Sequence, residues 1–188
     1  MTPLFEKFVR SLILEMPSRA KSFSISPAKA NEFWNRQKEN VEFLSTEKFN
    51  NQEYDIYIQF FGEDIVKLYI CPTESQVLVA YMGFDKVVDG IEINNIWTVS
   101  GSRLGIMEDL YINFLLVNFK FIRSDFIQTD RGFQLYKLFQ KNPNIIFSVY
   151  DNVDDKEISI TPDENIDQYF GSDNKSRYQF VLRKNHIT

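Results

Sequence analysis

Between residues 52 and 100 the chain alternates in steps of two, and this constrains the fold more than any other feature. Tyr54, Ile56, Ile58 and Phe60 interleave with Asp55, Tyr57, Gln59 and Phe61. That period places one set of side chains on each face of a strand. Gly62-Glu63-Asp64 reads as a turn, with Ile65–Ile70 as the return strand. Pro72-Thr73-Glu74-Ser75 leads into a third strand at Gln76–Met82, and Asp89-Gly90 into a fourth at Ile91–Ser100. Four successive strands joined by turn residues predict an antiparallel meander.

Helical spacing surrounds this block. Phe5, Phe8, Val9, Leu12, Ile13 and Met16 fall on one face of a helix over 4–16, with Thr2 as cap, Pro3 in the first turn and Pro17 as stop. A second helix is expected over Pro27–Phe43, capped by Ser26. Together they define an N-terminal helical extension, 1–50, ahead of a domain over 51–188. After the meander, Gly101 and Gly105 bracket a loop. A helix should run from Gly105 to about Phe119, with Ile106, Leu110, Phe114 and Val117 in one stripe. A strand at Phe119–Ser124 and a helix from Thr129 or Asp130 to about Gln140 follow. Further strands are expected at Asn144–Tyr150, Lys156–Thr161 and Tyr178–Arg183, with a loop over 162–176. The expected class is α/β: a mixed, mostly antiparallel central sheet flanked by helices.

Composition removes several function classes. The chain has one Cys (Cys71) and one His (His186), which rules out a disulfide framework and argues against a structural zinc site. His186 lies three residues from the end of a 188-residue sequence, a poor place for a catalytic base. The formal net charge is −5 with no basic stripe, so no nucleic-acid partner is expected. No apolar run reaches the length that spans a bilayer, and no membrane partner is expected. Asp154-Asp155 and Asp163-Glu164 read as solvated turns, so no metal is expected. The lone Cys suits a reducing, cytoplasmic compartment.

Residues 91–140 read strand, glycine-containing loop, helix, strand, helix. A loop that opens a helix points backbone N–H groups outward, toward an anionic phosphate. The run Ser102-Arg103-Leu104-Gly105-Ile106-Met107, then Leu110-Tyr111, and the later run Ser124-Asp125-x-x-Gln128-Thr129-x-x-Gly132-x-x-Leu135-Tyr136 carry a resemblance. In this order of elements the chain resembles the GNAT superfamily of N-acetyltransferases, in a version seen in tailed bacteriophages. There a meander leads into a central strand, and an Arg/Gln-x-x-Gly-x-Gly/Ala loop cradles the pyrophosphate of acetyl-CoA.

The resemblance implies an N-acyltransferase that uses acetyl-CoA, or another acyl-CoA, on an unknown amine. It implies that Val99 pairs with the pantetheine arm and that the amides of Arg103, Leu104, Gly105, Ile106 and Met107 face the pyrophosphate. Thr129 joins the cofactor site, and Tyr136 protonates the leaving thiolate. Glu92, on the expected central strand, is the candidate general base. The bland roles of the same residues are packing for Tyr136, a tight loop for Gly105, solvent for Glu92 and a helix cap for Thr129.

Ser102 and Met107 stand where the family carries Arg or Gln and a small residue. A Met there would crowd a phosphate. This supports an alternative: a non-catalytic protein of the same fold that binds another protein. The 4–16 helix, through Phe5, Phe8, Val9, Leu12, Ile13 and Met16, would then dock on a partner. Ile13-Leu14-Glu15 also resembles the capsid-targeting leaders of large phages, which would make the protein virion-associated.

Overall fold

The computed structural model describes residues 24–99, 105–125, 130–170 and 177–185. The expected 4–16 helix lies outside them, as do Ser102, Arg103, Leu104 and Thr129. Among the described residues ten strands form one sheet. They are β1 (Ser24–Ile25), β2 (Glu42–Phe49), β3 (Gln52–Phe61), β4 (Ile65–Pro72), β5 (Ala80–Val87), β6 (Gly90–Val99), β7 (Phe121–Arg123), β8 (Ile145–Asp151), β9 (Lys156–Ser159) and β10 (Tyr178–Lys184). Their order is β2-β3-β4-β5-β6-β7-β10-β8-β9, with β1 beside β6. Only the β6–β7 and β1–β6 pairs are parallel. The class is α/β with a mostly antiparallel sheet, as the alternation predicts.

The meander begins one strand earlier than expected. Helix α1 (Pro27–Gln37) starts under Ser26, whose Oγ accepts from Lys29 N at 3.3 Å. It ends at Gln37, and a 3-10 turn (Lys38–Asn40) leads into β2. Residues 42–49, expected partly as helix, therefore pair with β3, and the division placed at residue 50 falls inside a hairpin. Its turn is Asn50-Asn51, with φ of 48° and 64°, the left-handed pair that a two-residue hairpin loop requires. A bulge between Phe43 and Ser45 breaks the alternation of β2, which hides it from a period-two reading. The third expected strand also moves, from Gln76–Met82 to Ala80–Val87.

Two cores sit on opposite sides of the sheet. One face presents Ile56, Val66, Leu68, Ile70, Ala80, Met82, Phe84, Ile91 and Ile93 to the helices that follow β6 and β7. The segment after β6 is α2 (Gly105–Asp109), a π-helical stretch (Leu110–Leu115) and α3 (Leu116–Asn118). The π stretch explains a shifted stripe. An α-helical period predicts Ile106, Leu110, Phe114 and Val117, but one extra residue per turn buries Ile106, Leu110 and Leu115, leaving Val117 60% exposed. Helix α4 (Asp130–Lys141) adds Phe133, Tyr136 and Phe139. The other face carries a smaller aromatic core, where Phe33 and Trp34 of α1 pack on Tyr57, Tyr69, Tyr81 and Trp97.

Buried carboxylates tie strands together. Asp55 accepts from Thr46 Oγ1 (2.7 Å), Thr73 Oγ1 (2.9 Å) and Gln76 Nε2 (2.6 Å). Burial alone would raise its pKa, but these three donors hold it below its ordinary value. Asp151, at the end of β8, takes a forked pair of bonds from Arg177 and also accepts from Val153 N and Asp154 N. The Arg177 bonds bring its pKa down to about 2. A carboxylate depressed in the folded state adds stability that is present above its unfolded pKa and lost as pH falls through the folded value. The stability gap between wild type and Asp151→Asn should therefore hold at neutral pH and close between about pH 4 and 2. Urea melts across that range test this, and a pH-independent gap would refute it.

Candidate functional site

The parallel pair β6–β7 opens a fork in the sheet. Gly90, Ile91 and Glu92 pair with Phe121, Ile122 and Arg123, and there the pairing stops. Thr98 and Val99 then have β1 alongside, so 93–97 have no strand partner on that edge among the described residues. The fork opens toward the carboxyl ends of both strands, where α2 and α4 begin. In open α/β sheets that is where ligands sit.

One flank is polar. Glu92 lies at the apex, its side chain 24% exposed, with Oε2 3.7 Å from Arg123 Nη1. Gln179 of β10 reaches across: its Nε2 donates to Glu92 Oε1 at 3.0 Å and to the Ser124 carbonyl at 2.8 Å. Ser124 is fixed in turn, because its Oγ accepts from Phe180 N at 2.9 Å and its N–H donates to Phe180 O at 2.7 Å. The Arg123 guanidinium lies over the Tyr150 ring, 4.3 Å from its centroid.

The other flank is aromatic. The Tyr136 hydroxyl is 3.4 Å from that of Tyr111, and the rings meet edge to face. Burial pushes both phenols well above their ordinary value, and the Asp125 charge adds to this. Both therefore stay protonated near neutral pH and are donors, not bases. Tyr136 is 5% exposed and also packs on Phe139 and Phe180.

The structure brings together some of the residues singled out in the sequence and separates others. Glu92 is at the apex, on the face of β6 opposite Ile91 and Ile93, whereas Tyr136 lies in the core on the Ile91–Ile93 face, so the two side chains are not brought together. Val99, expected to pair with a pantetheine arm, donates its N–H to Val79 at 2.9 Å on the β5 side. Strand alternation then turns Thr98 and Ile96 to the fork edge. Ile106 and Met107 are buried in the main core, at 3% and 4% exposure. The Met107 side chain thus points inward, away from the path on which it was expected to crowd a phosphate. Gly105 meets the Asn50 amide of the β2–β3 turn so closely that a β-carbon there would collide with it.

Sequence reasoning quoted Ser124 only within the resembling run and did not single out Arg123 or Gln179. The one available signal was Gln179 itself, a glutamine between Tyr178 and Phe180-Val181-Leu182 in an apolar strand. Comparison of the chain with protein families, with curated proteins and with solved structures finds no match. No helix among the described residues is long and apolar enough to cross a membrane.

Proposed function

We propose that the chain is an N-acyltransferase that takes its acyl group from acetyl-CoA or another acyl-CoA. The observation that carries this reading is the fork: two parallel strands, reached through a meander, that part after three paired residues with a helix following each. A carboxylate at the apex suits the chemistry, and Tyr136, a protonated phenol in the core on the other face, is the proton donor that the resemblance implies. The amine nitrogen attacks the thioester carbonyl, a C–N bond forms and the C–S bond breaks. Glu92 accepts the proton from nitrogen, directly or through water, and Tyr136 returns one to the thiolate. The burial of Met107 in the main core supports the reading, since it removes that side chain as an obstacle to a phosphate.

A second reading is a protein of this fold, phage-encoded, that binds another protein and performs no transfer. It is favoured by β1, which lies along Thr98–Val99 on the edge where an acyl-CoA arm would run. Calorimetric titration of the full chain with acetyl-CoA, and in parallel with CoA, decides between them. Micromolar binding is expected. No heat of binding at millimolar ligand would overturn the acyl-transfer reading and favour the second.

A further inference from the structure

Two buried polar atoms at the fork have no hydrogen-bond partner: Oε1 of Gln179 and Nε of Arg123. Gln179 is 1% exposed. Its amide orientation is fixed by chemistry, because both groups that its Nε2 meets, Glu92 Oε1 and the Ser124 carbonyl, are acceptors. A flipped amide would set oxygen against both, so the unpartnered atom is the amide oxygen. Arg123 is held by the Tyr150 ring and faces Glu92 with Nη1, which leaves its Nε–H over. The two side chains engage opposite oxygens of one carboxylate. A free acceptor and a free donor therefore flank Glu92, and such groups in a folded interior call for an explanation.

We infer that the apex of the fork seats the acyl acceptor, and that this acceptor is an α-amino amide, an amine with a carbonyl beside it. Its N–H donates to Gln179 Oε1, its carbonyl accepts from Arg123 Nε, and its nitrogen lies against Glu92. The role as acceptor rests on the acyl-transfer reading; the binding itself does not. An alkylamine could satisfy only Gln179. The charges of Glu92 and Arg123 offset one another, so the seat selects by the paired donor and acceptor and not by net charge.

The test is a titration of the full chain with glycinamide, ethylamine and acetamide, read by NMR on the Arg123 Nε–H and the Gln179 side-chain amide. Glycinamide should give saturable shifts at both, and ethylamine, with one hydrogen bond fewer, should bind about tenfold more weakly. Gln179→Met, close in shape, should abolish the response at Arg123. Arg123→Lys, which keeps the charge and removes Nε, should weaken the response at Gln179. The backbone amide spectrum of each variant shows whether it folds, and two variants on different strands guard against loss of one. No saturable shift in wild type, an undiminished response in both variants, or acetamide binding as tightly as glycinamide would overturn the inference. Acetyl-CoA binding without glycinamide binding removes this seat alone. Glycinamide binding without acetyl-CoA binding keeps the seat and removes the acyl-transfer reading.

Discussion

Phe180→Ala should destabilise the fold by about 3–5 kcal/mol, the usual loss for truncating a buried phenylalanine. Phe180 sits where three elements meet. It is 2% exposed, and its ring centroid lies 5.8 Å from Phe133, 5.1 Å from Tyr136 and 5.5 Å from Phe147. Its backbone also holds Ser124 through two hydrogen bonds. None of the three aromatic partners can fill the gap without leaving its own contacts, so a cavity remains. Ile146→Ala, on adjacent β8 but 49% exposed, is the control and should shift stability by about 0.5 kcal/mol or less. Urea melts of both give the comparison. A loss for Phe180→Ala no larger than the control would mean that α4 is not clamped to the sheet through this ring.

The same position explains what could and could not be read in advance. Alternation from Tyr54 to Phe61 reports a strand half covered on each face, and such strands announce themselves. β2 does not, because the bulge at Leu44 and its exposed edge leave no clean period. β1 is two residues long and has no period at all. The π-helical stretch kept its helical character visible while moving its buried stripe by one residue from Leu115 on. Glu92 and Tyr136 were singled out because each lies on an element with a strong local signal. Gln179 and Arg123 were not, because their meeting depends on β10 inserting between β7 and β8. No local pattern encodes that long-range choice. Strand parity sets the direction of the Val99 N–H, which goes to the β5 side, and one residue of register would reverse it.

Trp34→Ala should release α1 and β1 together, with a local loss of about 3–5 kcal/mol. Trp34 is 6% exposed and anchors α1 on Tyr57 and Tyr69, with centroids 5.2 and 5.7 Å away. An 11-residue helix is marginal in water without such docking. Ser26 alone separates α1 from β1, and β1 pairs over only two residues. Hydrogen exchange should then quicken across 27–37 and at Thr98, while the amides of β8 and β10 keep their protection. Slow exchange at Thr98 in the variant would show that β1 holds its place without α1. The consequence reaches the site, because undocking β1 bares the fork edge of β6. If acyl-CoA runs along that edge, Trp34→Ala should bind acetyl-CoA more tightly than wild type, since the ligand no longer displaces a strand of the protein itself. Equal affinity in the two proteins would show that the Thr98–Val99 edge takes no part in binding, and that β1 is a fixed strand of the sheet and not a competitor for the cleft.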